Sequence, residues 1–242
     1  MKTFVGTSGY AYKPWKGRFY PAALPDKEML PFYARRFDTV EINHTFYRMP
    51  ADPVLARWRE QVPEGFSFSI KASRAITHHA RLKQAGDAVA FLFQRLESLG
   101  ETLGPVLFQL PPNLRLDLPR LREFLGALPR ERRVAVEFRH RSWFDEEVFD
   151  TLREHDAALC IADGELDGEV PFVSTASWGY LRLRAVDYTD EAIGAWAGRV
   201  REQKWTHGYV FFKHEDEATG PRLAARFIEL VKGAGTAGSP EA

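Results

Sequence analysis

Phe37-Asp38-Thr39-Val40-Glu41-Ile42-Asn43-His44-Thr45-Phe46-Tyr47 alternates in its middle section: Val40 and Ile42 fall on one face of an extended chain, Glu41 and Asn43 on the other. The pattern returns at Val134-Ala135-Val136-Glu137-Phe138-Arg139. There Val134, Val136 and Phe138 share one face, and Ala135, Glu137 and Arg139 share the other. A buried carboxylate costs several kcal/mol unless it is paired or hydrogen-bonded. Two of them, each near the C-terminal end of a predicted strand, point to one shared polar site.

Working outward from these two strands, the same criteria predict eight, at about 3–8, 38–43, 66–71, 105–110, 133–138, 158–162, 179–184 and 208–213. Helical character lies between most of them, at about 27–36, 53–62, 86–99, 117–128, 145–155, 189–204 and 221–233, with Asp117 and Asp145 or Asp190 as candidate N-caps. Strands alternating with helices imply parallel crossovers, and eight repeats predict a TIM-type (β/α)8 barrel. One helix is missing. Residues 163–178 carry turn signals and a short β-like piece, so the barrel is expected to be irregular between strands six and seven. With no repeat and no linker, residues 1–233 read as a single domain. Residues 234–242, Gly-Thr-Ala-Gly-Ser-Pro-rich, read as a disordered C-terminal tail.

Composition narrows the classes. The 242 residues are 45% hydrophobic and 27% charged, with 33 basic and 33 acidic side chains. A net charge of zero supplies no global field toward nucleic acid or membrane, so any preference must be local. The lone cysteine, Cys160, excludes an internal disulfide framework and a multi-cysteine metal site, and its apolar surroundings read as core. No apolar run approaches the ~20 residues of a membrane span. The N-terminus opens directly on a strand, without a long apolar signal region, so a cytoplasmic location is the expectation.

In a barrel of this type one strand face packs on helices, and the other points inward and ends at the C-terminal mouth. Period two then yields Glu41 and Asn43, Ser69 and Lys71, Gln109, Glu137 and Arg139, Asp163, Arg182 and Arg184, and Lys213 with His214 in ambiguous phase. Five cations stand against three carboxylates. These groups either pair with one another as a salt-bridge network, or leave a mouth in which Lys and Arg meet a phosphate or carboxylate. Two carboxylates in one cavity suit acid–base work if their surroundings separate their pKa values. A metal site from Glu41, Glu137, Asp163 and a histidine is chemically possible, but no tight ligand spacing is present and no cofactor is implied. Gly6-Thr-Ser-Gly9 does not complete a nucleotide fingerprint. The aromatics Tyr10, Tyr12, Trp15, Phe46, Tyr47 and Trp143 fall in mouth loops, where they either pack as a lid or stack on a sugar or base.

Several of these segments together resemble the YecE-like family, known as domain of unknown function seventy-two. The marks are Val5-Gly-Thr-Ser-Gly-Tyr10, Phe37-Asp-Thr-Val-Glu-Ile-Asn43 with Thr45-Phe-Tyr47, Phe66-Ser-Phe-Ser-Ile-Lys71, Ile76-Thr-His78, Gly104-Pro-Val-Leu-Phe-Gln-Leu-Pro-Pro112 and Val136-Glu-Phe-Arg-His140 with Trp143. The resemblance implies a TIM-barrel-like fold and no particular activity. It also marks two departures. Arg182-Leu-Arg184-Ala185 stands where the family usually reads Arg-x-His-Gly, and Phe212-Lys213-His214 where it reads Phe-Asn-Asn; both add positive charge at the mouth.

The resulting expectation is an enzyme acting on a small anionic, phosphorylated or sugar-like substrate. Glu41 and Glu137 are its candidate catalytic acid and base. Lys71, Arg139 and Arg182 would hold the anion and Asn43 and Gln109 would orient neutral groups, with His78, Tyr10 and Trp143 completing the substrate-binding set. A metal-dependent phosphodiesterase acting on nucleic acid, and a non-enzymatic ligand- or partner-binding barrel, are the alternatives. The first rests on fold analogy and a basic mouth, the second on full pairing of the inward charges.

Overall fold

The computed structural model describes residues 1–164 and 170–233. Eight strands run β1 (Lys2–Ser8), β2 (Thr39–Ile42), β3 (Ser67–Lys71), β4 (Leu103–Gln109), β5 (Val134–Glu137), β6 (Ala158–Ala162), β7 (Trp178–Leu183) and β8 (His207–Phe212). Each pairs in parallel with the next, and β1 closes on β8, making the expected barrel. Around it lie α1 (Met29–Ala34), α2 (Asp52–Glu60), α3 (Gly86–Leu96), α4 (Leu118–Gly126), α5 (Glu146–Arg153), α6 (Asp190–Arg201) and α7 (Thr219–Gly233). Between β6 and β7, residues 170–177 form neither helix nor strand, so the crossover is irregular but lacks a β-like piece there. Residues 165–169 and the expected tail, 234–242, lie outside the described residues.

Local chemistry explains the helix starts. Asp117 accepts a hydrogen bond from the Arg120 backbone amide at 3.1 Å, and Asp145 one from Glu147 at 2.9 Å, satisfying amides that have no partner within the helix. For α6 the cap is Thr189 rather than Asp190: its hydroxyl accepts from Ala192 N at 3.2 Å. Asp190 moves one position inward, where its charge favours the helix N-terminus and it pairs with Arg226 of α7.

Two apolar layers follow from period two. The outward faces of the strands pack on the helices through residues such as Val40, Ile42, Phe68, Ile70, Phe108, Val136, Leu181 and Phe212. The inward faces fill the barrel with Phe4, Leu107, Ala135, Ala158, Cys160, Trp178, Tyr180, Tyr209 and Phe211. Small side chains on β5 and β6 make room for the rings of β7 and β8, so the interior is packed rather than open. This settles the phase of β8: Tyr209 and Phe211 point in, and Lys213 continues their side of the chain at the mouth. Cys160 lies in this interior, where burial pushes its thiol well above the usual range.

The β1–β2 seam carries an inserted group. Tyr33 of α1 sends its hydroxyl between the strands, accepting from Thr7 N at 2.8 Å and donating to Thr39 O at 3.0 Å. Gly6 lies beside it, where a Cβ would stand 2.0 Å from the Thr39 carbonyl oxygen. A side chain is therefore excluded by the close approach of backbone.

Candidate functional site

Register places the polar residues in one ring near the top of the barrel. Ser8 is opposite Glu41, Glu41 opposite Ser69, Gln109 opposite Glu137, and Ala162 opposite Arg182. The guanidinium of Arg182, 1% exposed, crosses the interior and joins both carboxylates. Its Nε and Nη2 donate to Glu41 Oε1 at 3.2 and 3.0 Å, and its Nη1 donates to Glu137 Oε2 at 2.6 Å. Each carboxylate is then completed by further donors, neutral around Glu41 and including a second arginine at Glu137. Glu41 accepts from Ser8 Oγ (2.7 Å), Asn43 Nδ2 (3.1 Å) and the Tyr180 hydroxyl (2.6 Å); Glu137 accepts from Gln109 Nε2 (2.8 Å) and from Arg139 Nε (3.3 Å). Tyr180 in turn shares a 2.7 Å hydrogen bond with Ser69.

Electrostatics follow from this pairing. Burial alone would raise both carboxyl groups, but Arg182 and the hydrogen bonds outweigh it. Glu41 is held below its ordinary value, and Glu137, with Arg139 and Gln109 also helping, falls to about 2. Both are ionised at neutral pH, and Arg182 is fixed as a cation between them. Of the two sequence-based possibilities, internal pairing describes this lower tier.

The upper tier is different. Lys71, at the end of β3, is half-buried, and its Nζ sits 4.2 Å above the ring of Phe46. Its amine is pushed down to about 8, first by burial and then by Arg182 and Arg139, against the pull of Glu137 and Glu41. Lys213, at the end of β8, is lowered by burial and by Arg184 and Arg182. Arg184 stands 3.9 Å from Glu137 and is itself lowered by burial. His78, in a π-helical turn at Ala75–His79, packs edge-on to Phe46 at 4.9 Å and is lowered by burial, Lys71 and Arg139. Arg139 and Arg184 thus pair with Glu137, and Lys71 and Lys213 stand with them at the same end of the barrel.

The remaining expected residues have other surroundings. Trp143 is fully buried, stacked on Phe138 at 4.8 Å, and donates from its indole to Leu114 O at 2.7 Å, so it packs in the core beneath the loop. Tyr10 lines a cavity of about 250 Å³ beside the mouth with Tyr12, Asn43 and His44. The loop aromatics Tyr12, Trp15, Phe19 and Tyr20 pack against one another, mostly tilted or edge-on, with Phe19 and Tyr20 reaching Phe32 of α1. Asp163 accepts from Arg184 N at 2.6 Å and from the Tyr188 hydroxyl, an interaction that ties the β6 end to the β7 loop. Among the described residues no three His, Cys, Asp or Glu side chains gather as a metal-ligand set, so Glu41, Glu137 and Asp163 do not converge on one point. The same region contains no helix long and apolar enough to cross a membrane. Ser8 and Tyr180 complete the ring without having been singled out from sequence. Tyr180 lies two residues before Arg182, so extending the period-two count down β7 finds it.

An eight-stranded parallel barrel with a buried Glu–Arg–Glu cluster under a cationic mouth defines the class. Within it, the chain belongs to the family described as protein of unknown function DUF72, whose model matches residues 4–242. It is 39% identical over 113 residues to UPF0759 protein YecE of Escherichia coli, covering 46% of this chain and 42% of that protein. To UPF0759 protein YunF of Bacillus subtilis it is 29% identical over 159 residues, covering 61% of this chain and 54% of that one. The matched segments thus span about half the length of these relatives. The crystal structure of a DUF72 family protein from Thermotoga maritima superposes with a TM-score of 0.83 at 25% identity, over 96% of this chain and all of that one. A DUF72 family protein from Enterococcus faecalis shares the fold with a TM-score of 0.79 at 17% identity, over 95% of each chain.

Proposed function

We propose that the protein is an enzyme whose C-terminal barrel mouth binds a small anionic substrate, of phosphorylated or sugar-like character. The observation that carries this reading is the placement of Lys71, half-buried at the mouth with its Nζ over Phe46, while the nearest carboxylates are engaged with Arg182; burial and the neighbouring arginines lower its amine. A cation in such a place is under-compensated, and a bound dianion would relieve it. Lys213 is lowered for the same reasons and supports the same reading from the opposite side of the β1 strand.

Glu41 and Glu137 serve this reading as fixed counter-ions that orient Arg182. A carboxylate held at about 2 is a poor proton acceptor at neutral pH and no proton donor there. Asn43 and Gln109 hold the two carboxylates through their amide groups. The Asn43 Oδ1 is buried without a hydrogen-bond partner and offers an acceptor to a substrate hydroxyl.

Sulfate is a suitable probe because its charge is constant across the pH range used. Calorimetric titration should give saturable binding at pH 6.5 that weakens as pH rises through about 8, where free Lys71 loses its proton. Arg182, Arg139, Glu41, Glu137 and His78 are the charged and titratable groups facing that amine. Lys71→Met should weaken binding roughly tenfold, the loss of one charge-assisted contact. Absence of saturable sulfate and phosphate binding would remove the anion-binding reading.

A further inference from the structure

Lys71 differs from the other mouth cations in what its charged atom touches. Period two directs it to the same side as Ser67 and Ser69, into the barrel and up toward the mouth. Its Nζ meets the face of Phe46 and makes no ion pair or hydrogen bond with a described residue. Below it, Arg182 claims Glu41 and Glu137 with three hydrogen bonds. Phe46 also meets the His78 ring edge-on at 4.9 Å, and the His78 Nδ1 lies 2.9 Å from Thr77 Oγ1. An amine at a barrel-strand terminus, half-buried and without an ion pair or hydrogen bond to a described residue while Arg182 engages the nearest carboxylates, is available as a nucleophile once it gives up its proton.

We propose that Lys71 is a catalytic amine that forms a protonated imine with the carbonyl carbon of an anionic aldehyde or ketone, whose phosphate or carboxylate is held by the neighbouring mouth cations. This inference rests on the anion-binding reading above. The nitrogen lone pair forms the new C–N bond while the carbonyl π pair moves to oxygen. One amine proton passes to that oxygen, giving the carbinolamine. A proton from solvent then converts the hydroxyl to a leaving water as the remaining nitrogen pair forms the C=N bond. Amine, carbonyl and one proton give a protonated imine and water, so no oxidant or reductant is required. The product remains a cation and keeps the face of Phe46 as its neighbour. Burial and the neighbouring arginines also lower the amine to about 8, so near neutral pH a useful fraction is unprotonated, whereas an ordinary lysine would be almost entirely charged.

The test uses pyridoxal 5′-phosphate, an aldehyde carrying a phosphate, followed by borohydride reduction and peptide mass mapping of the full chain. The expected result is one adduct per chain, on Lys71, suppressed by sulfate. Pyridoxal without the phosphate should label it at least tenfold more slowly. Lys71→Arg should lose the adduct while keeping the wild-type circular dichroism spectrum; if that variant does not fold, the wild-type peptide map decides alone. Label at Lys213, or spread over surface lysines with Lys71 unmodified, overturns the proposal. If sulfate binds saturably and Lys71 is still not trapped, the imine fails and the anion site stands. If Lys71 is trapped equally by both aldehydes and sulfate neither binds nor protects, the anion site fails and the substrate class proposed for Lys71 fails with it.

Discussion

Arg182 is the residue on which the candidate site turns. One fully buried guanidinium faces two fully buried carboxylates, and the pairing succeeds because the remaining oxygen lone pairs also find donors in Ser8, Asn43, Tyr180, Gln109 and Arg139. Removing one partner from such an arrangement leaves buried charge uncompensated. Arg182→Met is expected to destabilise the fold by about 3–5 kcal/mol in urea denaturation. Tyr180→Phe should cost less, about 1–3 kcal/mol, because it leaves Glu41 and Ser69 each short of one hydrogen bond but removes no charge. A variant lacking Arg182 that melts like the wild type would mean that the cluster does not stabilise the barrel. At this scale the alternation around Glu41 and Glu137 was legible, because a carboxylate interrupts an apolar strand visibly. Tyr180 was not singled out, since a tyrosine between apolar neighbours looks like core.

Among the elements, the β1–β2 seam is the tightest test of packing. Tyr33 reaches between the strands, and Gly6 leaves space for that contact and for the Thr39 carbonyl. Gly6→Ala places a Cβ where backbone already stands, and backbone has little room to yield. The expected loss is at least about 1–3 kcal/mol, the usual range for overpacking, read as a lower urea midpoint. An alanine variant of full stability would show that the strands separate without cost. The eight strands were readable because period two survives wherever one face meets helices and the other a mixed interior. The seam was not readable: α1 delivers Tyr33 from 26 residues beyond Thr7, and no local pattern marks that contact. The α6 cap fell one residue from an expected position because Thr189 and Asp190 are both good capping residues in sequence, and backbone geometry chose between them.

For the whole molecule, an overall charge of zero conceals strong local separation. In the lower tier of the mouth Glu41 and Glu137 share Arg182, Arg139 also pairs with Glu137, and Lys71 and Lys213 stand at the same end of the barrel. This arrangement has a consequence in acid. Glu137 is held at about 2 in the folded chain against an ordinary value of 4.5. A depressed carboxyl stabilises the fold fully above its unfolded value, and that stabilisation is lost as pH falls through the folded one. Wild-type stability is therefore expected to decline between about pH 4.5 and 2 as Glu137 is protonated, with Glu41 acting in the same direction. Asp38, raised by burial, acts in the opposite sense, so the informative quantity is the difference between wild type and Glu137→Gln. Urea midpoints across this window should converge as pH falls; a constant gap would show that Glu137 is not the titrating group.

The sequence by itself determined the parallel barrel, the strands that carry charge and the face of each strand on which the charge lies. These are local properties, written in a two-residue period and in the spacing between strands and helices. Tertiary structure alone decided that Glu41 and Glu137 would share Arg182, from 141 and 45 residues away, and that Lys71 would be left against Phe46. Which side chains meet across a barrel depends on the tilt and stagger of its closed sheet. That geometry is set by all eight strands together, so no single stretch of chain contains it.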